Sequence, residues 1–291
     1  MKSNYRNYFK EGKLYQWDMN LDIFTITDTN IQEEFCLDQK GMDMFLKFNN
    51  PEIKLDKTLQ VKSGKLKASI KVCNEVLIMP NMDFTSSFKL DINKLKIANK
   101  FVSKNQKNPV LTGVNVSNGY IVATDAFYAY RNECEADCNI TIESQYINVL
   151  TGVSNEVEIK CNNNTIACEI DGITYIGRLL DGVYPNLNKI YKKQNNQVSI
   201  NKQELKQLLS FSNNKNDYVI FKNNKLIIEG ENNFEADIEL NFNCEICLSL
   251  DRVLTVINSI QEEEININYE DESRPVFFND NYLVLPIRRD A

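Results

Sequence analysis

The 291 residues are 43% hydrophobic and 25% charged, enough apolar material for two or three globular domains. Histidine is absent, which excludes Ser-His-Asp and Cys-His chemistry and the common histidine metal sites. The net charge of −7 excludes nucleic-acid binding by the surface as a whole, so any such contact must use a local basic patch. No charged-then-apolar leader opens the chain, and no apolar run nears the ~20 residues of a membrane span. The expected location is therefore cytoplasmic, with no membrane contact. The eight cysteines then read as reduced thiols. Cys244 and Cys247 have zinc-like spacing, and Cys134 with Cys138 gives a looser second pair, but no histidine supports them. Neither a metal nor a cofactor is expected.

In chain order, a strand over 12–18 precedes a helix over 38–48 and an alternating strand over 52–55. A second helix is predicted over 93–103, capped by Asp91, with Leu95, Ala98, Phe101 and Val102 as its apolar side. A strand over 119–125, a short helix over 144–150 and an alternating strand over 156–159 follow. The last part begins with a helix built on Leu205, Leu208 and Leu209. It continues with a strand over 224–228, a helix over 249–260 carrying Arg252, and an alternating strand over 264–267.

These elements repeat. Ile92-Asn93-Lys94 returns as Ile200-Asn201-Lys202, 108 residues later. The 12–18 strand matches 119–125 at a shift of 107, and Glu52-Ile53-Lys54-Leu55 recurs at shifts of 104 and 108 residues from one copy to the next. Agreement of three anchors on one period predicts three tandem copies of one α+β domain, divided as 1–86, 87–194 and 195–291. Carried back by the period, the Ile92 anchor falls before Met1, so the first copy lacks its opening strand and helix.

Lys96, Lys100 and Lys104 fall at i, i+4 and i+8, beside Lys94, and the matching helix of the third copy carries Lys202 and Lys206. Lysines solvate many exposed helix faces, but two repeat-related lysine faces in an acidic chain point to a shared basic surface. Without interleaved aromatics, they suit phosphate contact on duplex DNA with no sequence preference. The acidic stretches 261–264 and 271–272 would be needed by a magnesium-dependent nuclease. They read instead as a solvated strand edge and a turn.

Asn108-Pro109-Val110-Leu111-Thr112-Gly113-Val114 followed by Ile121-Val122-Ala123-Thr124-Asp125 resembles the second-domain signature of bacterial DNA polymerase III beta subunits, the beta sliding clamps. Gly182-Val183-Tyr184-Pro185-Asn186 is similar to that family's loop between its second and third domains. Phe242-Asn243 and the ending Tyr282-Leu283-Val284-Leu285-Pro286-Ile287-Arg288 resemble third-domain segments. The resemblance implies a DNA-clamp fold in which three repeats place helices around a central channel and antiparallel sheets outside. It implies a non-enzymatic processivity factor: a head-to-tail homodimer ring on double-stranded DNA, loaded by a separate clamp loader.

It also implies a pocket that takes short peptides of DNA polymerase, loader and other partners. Carried over by position, that pocket is Leu111, Thr124, Phe127, Tyr128, Ala129, Pro185, Lys189, Ile190, Pro275, Leu283, Leu285, Pro286 and Ile287. The subunit contact would join a strand over 65–72 to the region around Phe211. Two departures stand out. Where the family usually has Gly-His-Arg-Leu, this chain has Ala126-Phe127-Tyr128-Ala129, and the first domain is short. The compact form suits a clamp encoded by a virus or mobile element. The short first domain leaves an alternative, a clamp-like decoy that binds partner peptides without encircling DNA.

Overall fold

The computed structural model describes residues 5–74, 78–150, 156–212 and 214–288. The first copy runs β1 (Tyr5–Lys10), β2 (Lys13–Asp18), β3 (Ile23–Asp28), β4 (Phe35–Asp38), α1 (Gln39–Phe45), β5 (Glu52–Leu55), β6 (Leu59–Ser63) and β7 (Leu66–Ile70). The second begins with a strand and helix that the first does not have among its described residues, β8 (Ser86–Asp91) and α2 (Ile92–Ala98). It continues with β9 (Gly113–Ser117), β10 (Tyr120–Thr124), β11 (Tyr128–Glu133), β12 (Asn139–Glu143), α3 (Ser144–Val149), β13 (Glu156–Cys161), β14 (Thr165–Ile170) and β15 (Ile173–Arg178). The third has the same order: β16 (Asn196–Asn201), α4 (Lys202–Leu209), β17 (Tyr218–Lys222), β18 (Lys225–Glu229), β19 (Phe234–Asp237), β20 (Ile246–Ser249), α5 (Leu250–Ile257), β21 (Glu264–Tyr269), β22 (Val276–Phe278) and β23 (Tyr282–Val284).

The sequence anchors land on equivalent elements, β2, β10 and β18 for one and β5, β13 and β21 for another. Local chemistry explains why. β13 alternates exposed Glu156, Glu158 and Lys160 with buried Val157, Ile159 and Cys161, the two-residue period of a strand with one wet face. The first hairpin of each copy closes through two residues at positive φ. These are Glu11-Gly12 (50° and 74°), Asn118-Gly119 (51° and 74°) and Asn223-Asn224 (25° and 62°). Two consecutive left-handed residues match the twist of the flanking strands, and glycine and asparagine tolerate them best.

By contacts the chain forms two compact units, Met1–Asn93 with Glu135–Asp181, and Lys94–Cys134 with Gly182–Ala291. These cuts cross the repeat boundaries because sheets are shared between successive copies. In the first unit the antiparallel order is β4-β1-β2-β3-β15-β14-β13-β8, so the third strand of copy one pairs with the last strand of copy two, Phe24 opposite Ile176. A separate sheet, β5-β6-β7, covers a core of Phe9, Phe35, Leu37, Met42, Phe45, Leu59, Val61 and Ile70. In the second unit β9-β10-β11-β23-β22-β21-β16 repeats the joint, with Ala129 of β11 opposite Leu283 of β23, and β19-β18-β17-β20 forms a further sheet.

The helices form where expected, but α1 ends at Phe45 instead of 48 and α5 at Ile257 instead of 260, and α2 needs the largest correction. Asp91 caps the second-copy helix by accepting from the Asn93 amide at 2.7 Å, and Leu95, Ala98 and Phe101 are buried, as expected. The helix stops at Ala98 instead of 103. Lys100 N reaches Ile97 O and Phe101 N reaches Ala98 O, a tightened i+3 turn, and Ser103 N then turns to Leu111 O at 2.7 Å. The cause is tertiary: Phe101 is drawn into an aromatic cluster with Tyr128, Tyr130 and Tyr282, its ring centroid 4.9, 5.8 and 5.7 Å from theirs. Lys100 and Lys104 therefore do not continue a stripe on that helix. Among the described residues, no helix is long and apolar enough to cross a membrane.

Candidate peptide-docking site

The second unit gathers most of the expected pocket around the turn from β10 to β11. Asp125 builds this turn by accepting from the amides of Phe127 and Tyr128 at 2.8 and 3.0 Å. Thr124 is buried at its base. Its hydroxyl donates to Tyr128 O and accepts from Ala126 N, and its amide donates to Tyr184 Oη at 3.0 Å. Ala126 stands at φ 81°, in the left-handed region where glycine is the ordinary occupant. The turn thrusts Phe127 outward, 54% exposed.

The guanidinium of Arg252, from α5, covers the Phe127 ring at 4.4 Å and meets Asp125 Oδ2 at 3.5 Å. Tyr128 lies lower, its hydroxyl donating to Lys100 O at 2.8 Å, and burial is the main cause that pushes its pKa up to about 12. Together these residues wall a cavity of about 680 Å³, shared with Leu111, Val102, Lys104, Lys107, Lys215 and Asp251.

Beside that turn lies an apolar cluster. Ala129, Leu283 and Phe277 are buried in the adjoining strands, and Leu187, Tyr191 and Leu285 pack over them. The segment bearing Leu187 and Tyr191 is a 3-10 turn, Leu187–Lys189, closed by the Ile190 and Tyr191 amides on Leu187 O. Arg131 fixes this turn from below, its guanidinium 4.0 Å from the Tyr191 ring and 4.6 Å from the Tyr120 ring, donating to Asn188 Oδ1 at 3.2 Å. The turn leaves Pro185, Lys189 and Ile190 facing solvent, next to an almost fully exposed Val183. The C-terminal segment is tied down by Leu285 N to Phe127 O and Ile287 N to Cys247 O, both at 2.8 Å, which leaves Leu285, Pro286 and Ile287 half-buried.

No family model and no curated protein sequence matches the chain. Solved structures do. A DNA polymerase III beta subunit from Eubacterium rectale superposes with a TM-score of 0.79 at 17% identity, covering 99% of this chain and 92% of that one. The corresponding subunit from Pseudomonas aeruginosa gives 0.77 at 18% identity over 99% and 93% of the two chains. The sliding clamp from Bartonella birtlesii, solved bound to griselimycin, gives 0.76 at 16% identity over 99% and 92%. The chain has the sliding-clamp fold.

Within this clamp fold, the expected site residues separate into groups. Leu111, Phe127 and Tyr128 line the cavity, and Ala129, Leu283 and Leu285 form the apolar cluster. Thr124 supports the turn and faces neither. Pro275 is half-buried just before β22 and lines neither feature. Residues outside the expected set carry much of the geometry: Asp125, Tyr184, Leu187, Tyr191, Arg131 and Arg252. An Asp followed two residues on by an exposed aromatic signals an Asx turn, so Asp125 was readable. Arg252 was not, because its partners lie more than a hundred residues away.

The lysines separate too. Lys94 donates to Glu133 O at 2.8 Å and Lys202 donates to Ile260 O, so both ammonium groups serve the chain's own backbone. Lys96 and Lys206 are half-buried on their helices and Lys100 is exposed just past one. Lys104 lines the cavity. The acidic segment 271–272 is a turn, Asp271 Oδ1 accepting from the Ser273 amide and hydroxyl and from Arg274 N, and these bonds lower its pKa.

Proposed function

We propose that the chain is a sliding-clamp subunit, a non-enzymatic processivity factor that encircles duplex DNA and holds a polymerase through peptides docked near Phe127 and Ile190. The observation that carries this reading is the clamp fold together with its pattern of sheet joints. β3, the third strand of copy one, pairs with β15, the last of copy two, and β11, the equivalent strand of copy two, pairs with β23, the last of copy three. Among the described residues, β19, the equivalent strand of copy three, and β7, the last of copy one, are each paired on one side only.

The same joint between neighbouring chains would pair β19 of one with β7 of the next and close a head-to-tail homodimer. Apolar side chains stand exposed at both places. Phe211 stacks on Phe234 of β19 at 4.0 Å, and Leu66 opens β7. Unpaired strand edges with exposed apolar groups recruit further strands.

A ring cannot leave closed DNA without opening, so weak phosphate contacts suffice, and these fall to Lys96, Lys100 and Lys206. Contacts without base readout permit sliding, and the acidic remainder of the chain keeps DNA inside. Opening and loading fall to a separate loader. A second reading is the decoy that binds partner peptides without enclosing DNA: among its described residues the first copy shows no lysine-bearing helix equivalent to α2 and α4. Retention of the loaded protein on circular but not linearised duplex supports the clamp. Equal loss from both supports the decoy.

A further inference from the structure

The cavity beside Phe127 has a charge pattern that the docking reading alone does not explain. Six charged side chains line it: Lys104, Lys107, Lys215, Arg252, Asp125 and Asp251. Two pairs neutralise each other, Arg252 with Asp125 at 3.5 Å and Lys215 with Asp251 at 3.9 Å. Lys104 and Lys107 remain, exposed on the loop between α2 and β9, and no described residue pairs with either. The lip of the cavity therefore carries an uncompensated double positive charge in a chain whose net charge is −7. Leu111, Tyr128 and the exposed ring of Phe127 line the same cavity.

Resting on the docking function proposed above, we propose that this cavity selects acidic peptides: an aspartate or glutamate of the bound partner lies between Lys104 and Lys107 while the neighbouring apolar side chain packs on Phe127. Charge complementarity fixes the sign. A cationic peptide would face two unpaired ammonium groups, and a neutral one would leave them unanswered. Size and composition favour a peptide over nucleic acid. A space of about 680 Å³ holds a few side chains, and the carboxylates of Asp125 and Asp251 in its wall oppose a phosphate backbone.

The loop also explains how Lys104 comes to this place. The helix before it stops at Ala98, and Ser103 is held by Leu111 O, so Lys104, Asn105, Lys107 and Asn108 come to line the cavity. Had the helix continued to residue 104, that side chain would have stayed on the helix surface.

The experiment uses the full chain and two fluorescein-labelled octapeptides that share a Leu-Phe pair, preceded by two aspartates in one and two asparagines in the other. Fluorescence anisotropy is read at low and high salt. The aspartate peptide is expected to bind about tenfold more tightly at low salt, an advantage that shrinks as salt screens the lip. In the Lys104→Glu/Lys107→Glu variant, at two exposed positions, the preference reverses. Equal binding of the two peptides overturns acidic selection and leaves peptide docking intact. Binding of neither overturns the docking function itself. If the variant leaves the peptide preference unchanged and instead loses affinity for duplex DNA, the lysines serve nucleic acid and the inference fails.

Discussion

Ala126 holds a backbone conformation that its side chain opposes. At φ 81° its Cβ crowds the following peptide, a cost of ~1–2 kcal/mol for an L residue. Ala126→Gly should relieve part of this strain and raise the urea midpoint without changing the m-value; a lowered midpoint would show that the turn is not strained. Gly177 is the opposite case. A Cβ there would lie 2.4 Å from Cδ2 of Tyr146, a ring buried against β15 whose hydroxyl bonds to Tyr175 O. Gly177→Ala is expected to cost ~2 kcal/mol by overpacking, read from urea unfolding.

Tyr128 adds a pH dependence. Its folded pKa is raised above the usual tyrosine value of 10.0 to about 12, so the folded state favours the protonated phenol. The stability this contributes is complete below pH 10 and is lost as pH climbs from 10 towards 12. Tyr184, Tyr191 and Tyr282 are pushed up in the same direction, chiefly by burial. Thermal melts at rising alkaline pH should show the loss. Tyr128→Phe should flatten part of it, while losing the bond to Lys100 O at a cost of about 1 kcal/mol.

Strands and helices are specified unevenly. Hairpins close through short turns whose residues tolerate positive φ, and alternating strands such as β13 and β21 place one face in a core whatever surrounds them. Helix ends depend on neighbours. α2 ends where Phe101 enters its aromatic cluster, and that early end moves Lys104 from a helix face to a cavity lip. The edge strands β7 and β19 carry the association proposed here. Phe211→Asp and Leu66→Asp place charges on exposed positions, so each chain should keep its fold. Sedimentation should then report a mass falling from twice 33.7 kDa to 33.7 kDa. A dimer that survives both changes would locate the contact elsewhere.

The whole molecule is a chain of shared sheets, each copy finishing the sheet of the one before. The closed assembly proposed above rests on repeating this joint between chains, with β19 of one meeting β7 of the next. Topological retention should resist salt where ordinary DNA affinity does not. Contacts through a few lysines weaken steeply between about 0.05 and 0.2 M salt. The loaded ring should therefore stay on circular DNA at about 0.2 M salt and slide off once the DNA is cut. Salt-sensitive loss from circles would mean that the protein holds DNA by charge alone.

The sequence by itself determined the repeated order of elements and the positions of the anchor strands β2, β5, β10, β13, β18 and β21. These follow from residue periodicity and turn chemistry, which act within a few residues. It also marked Leu111, Phe127, Tyr128, Ala129, Leu283 and Leu285 among the residues of one expected peptide pocket, although only through resemblance to clamps; that they divide between a cavity and an apolar cluster came from the structure. Tertiary structure alone decided where α2 stops, which lysines bond to the chain's own carbonyls, and that Arg252 covers Phe127. Those outcomes depend on groups far apart in sequence competing for the same space and the same hydrogen-bond acceptors, and no local pattern records which of them wins.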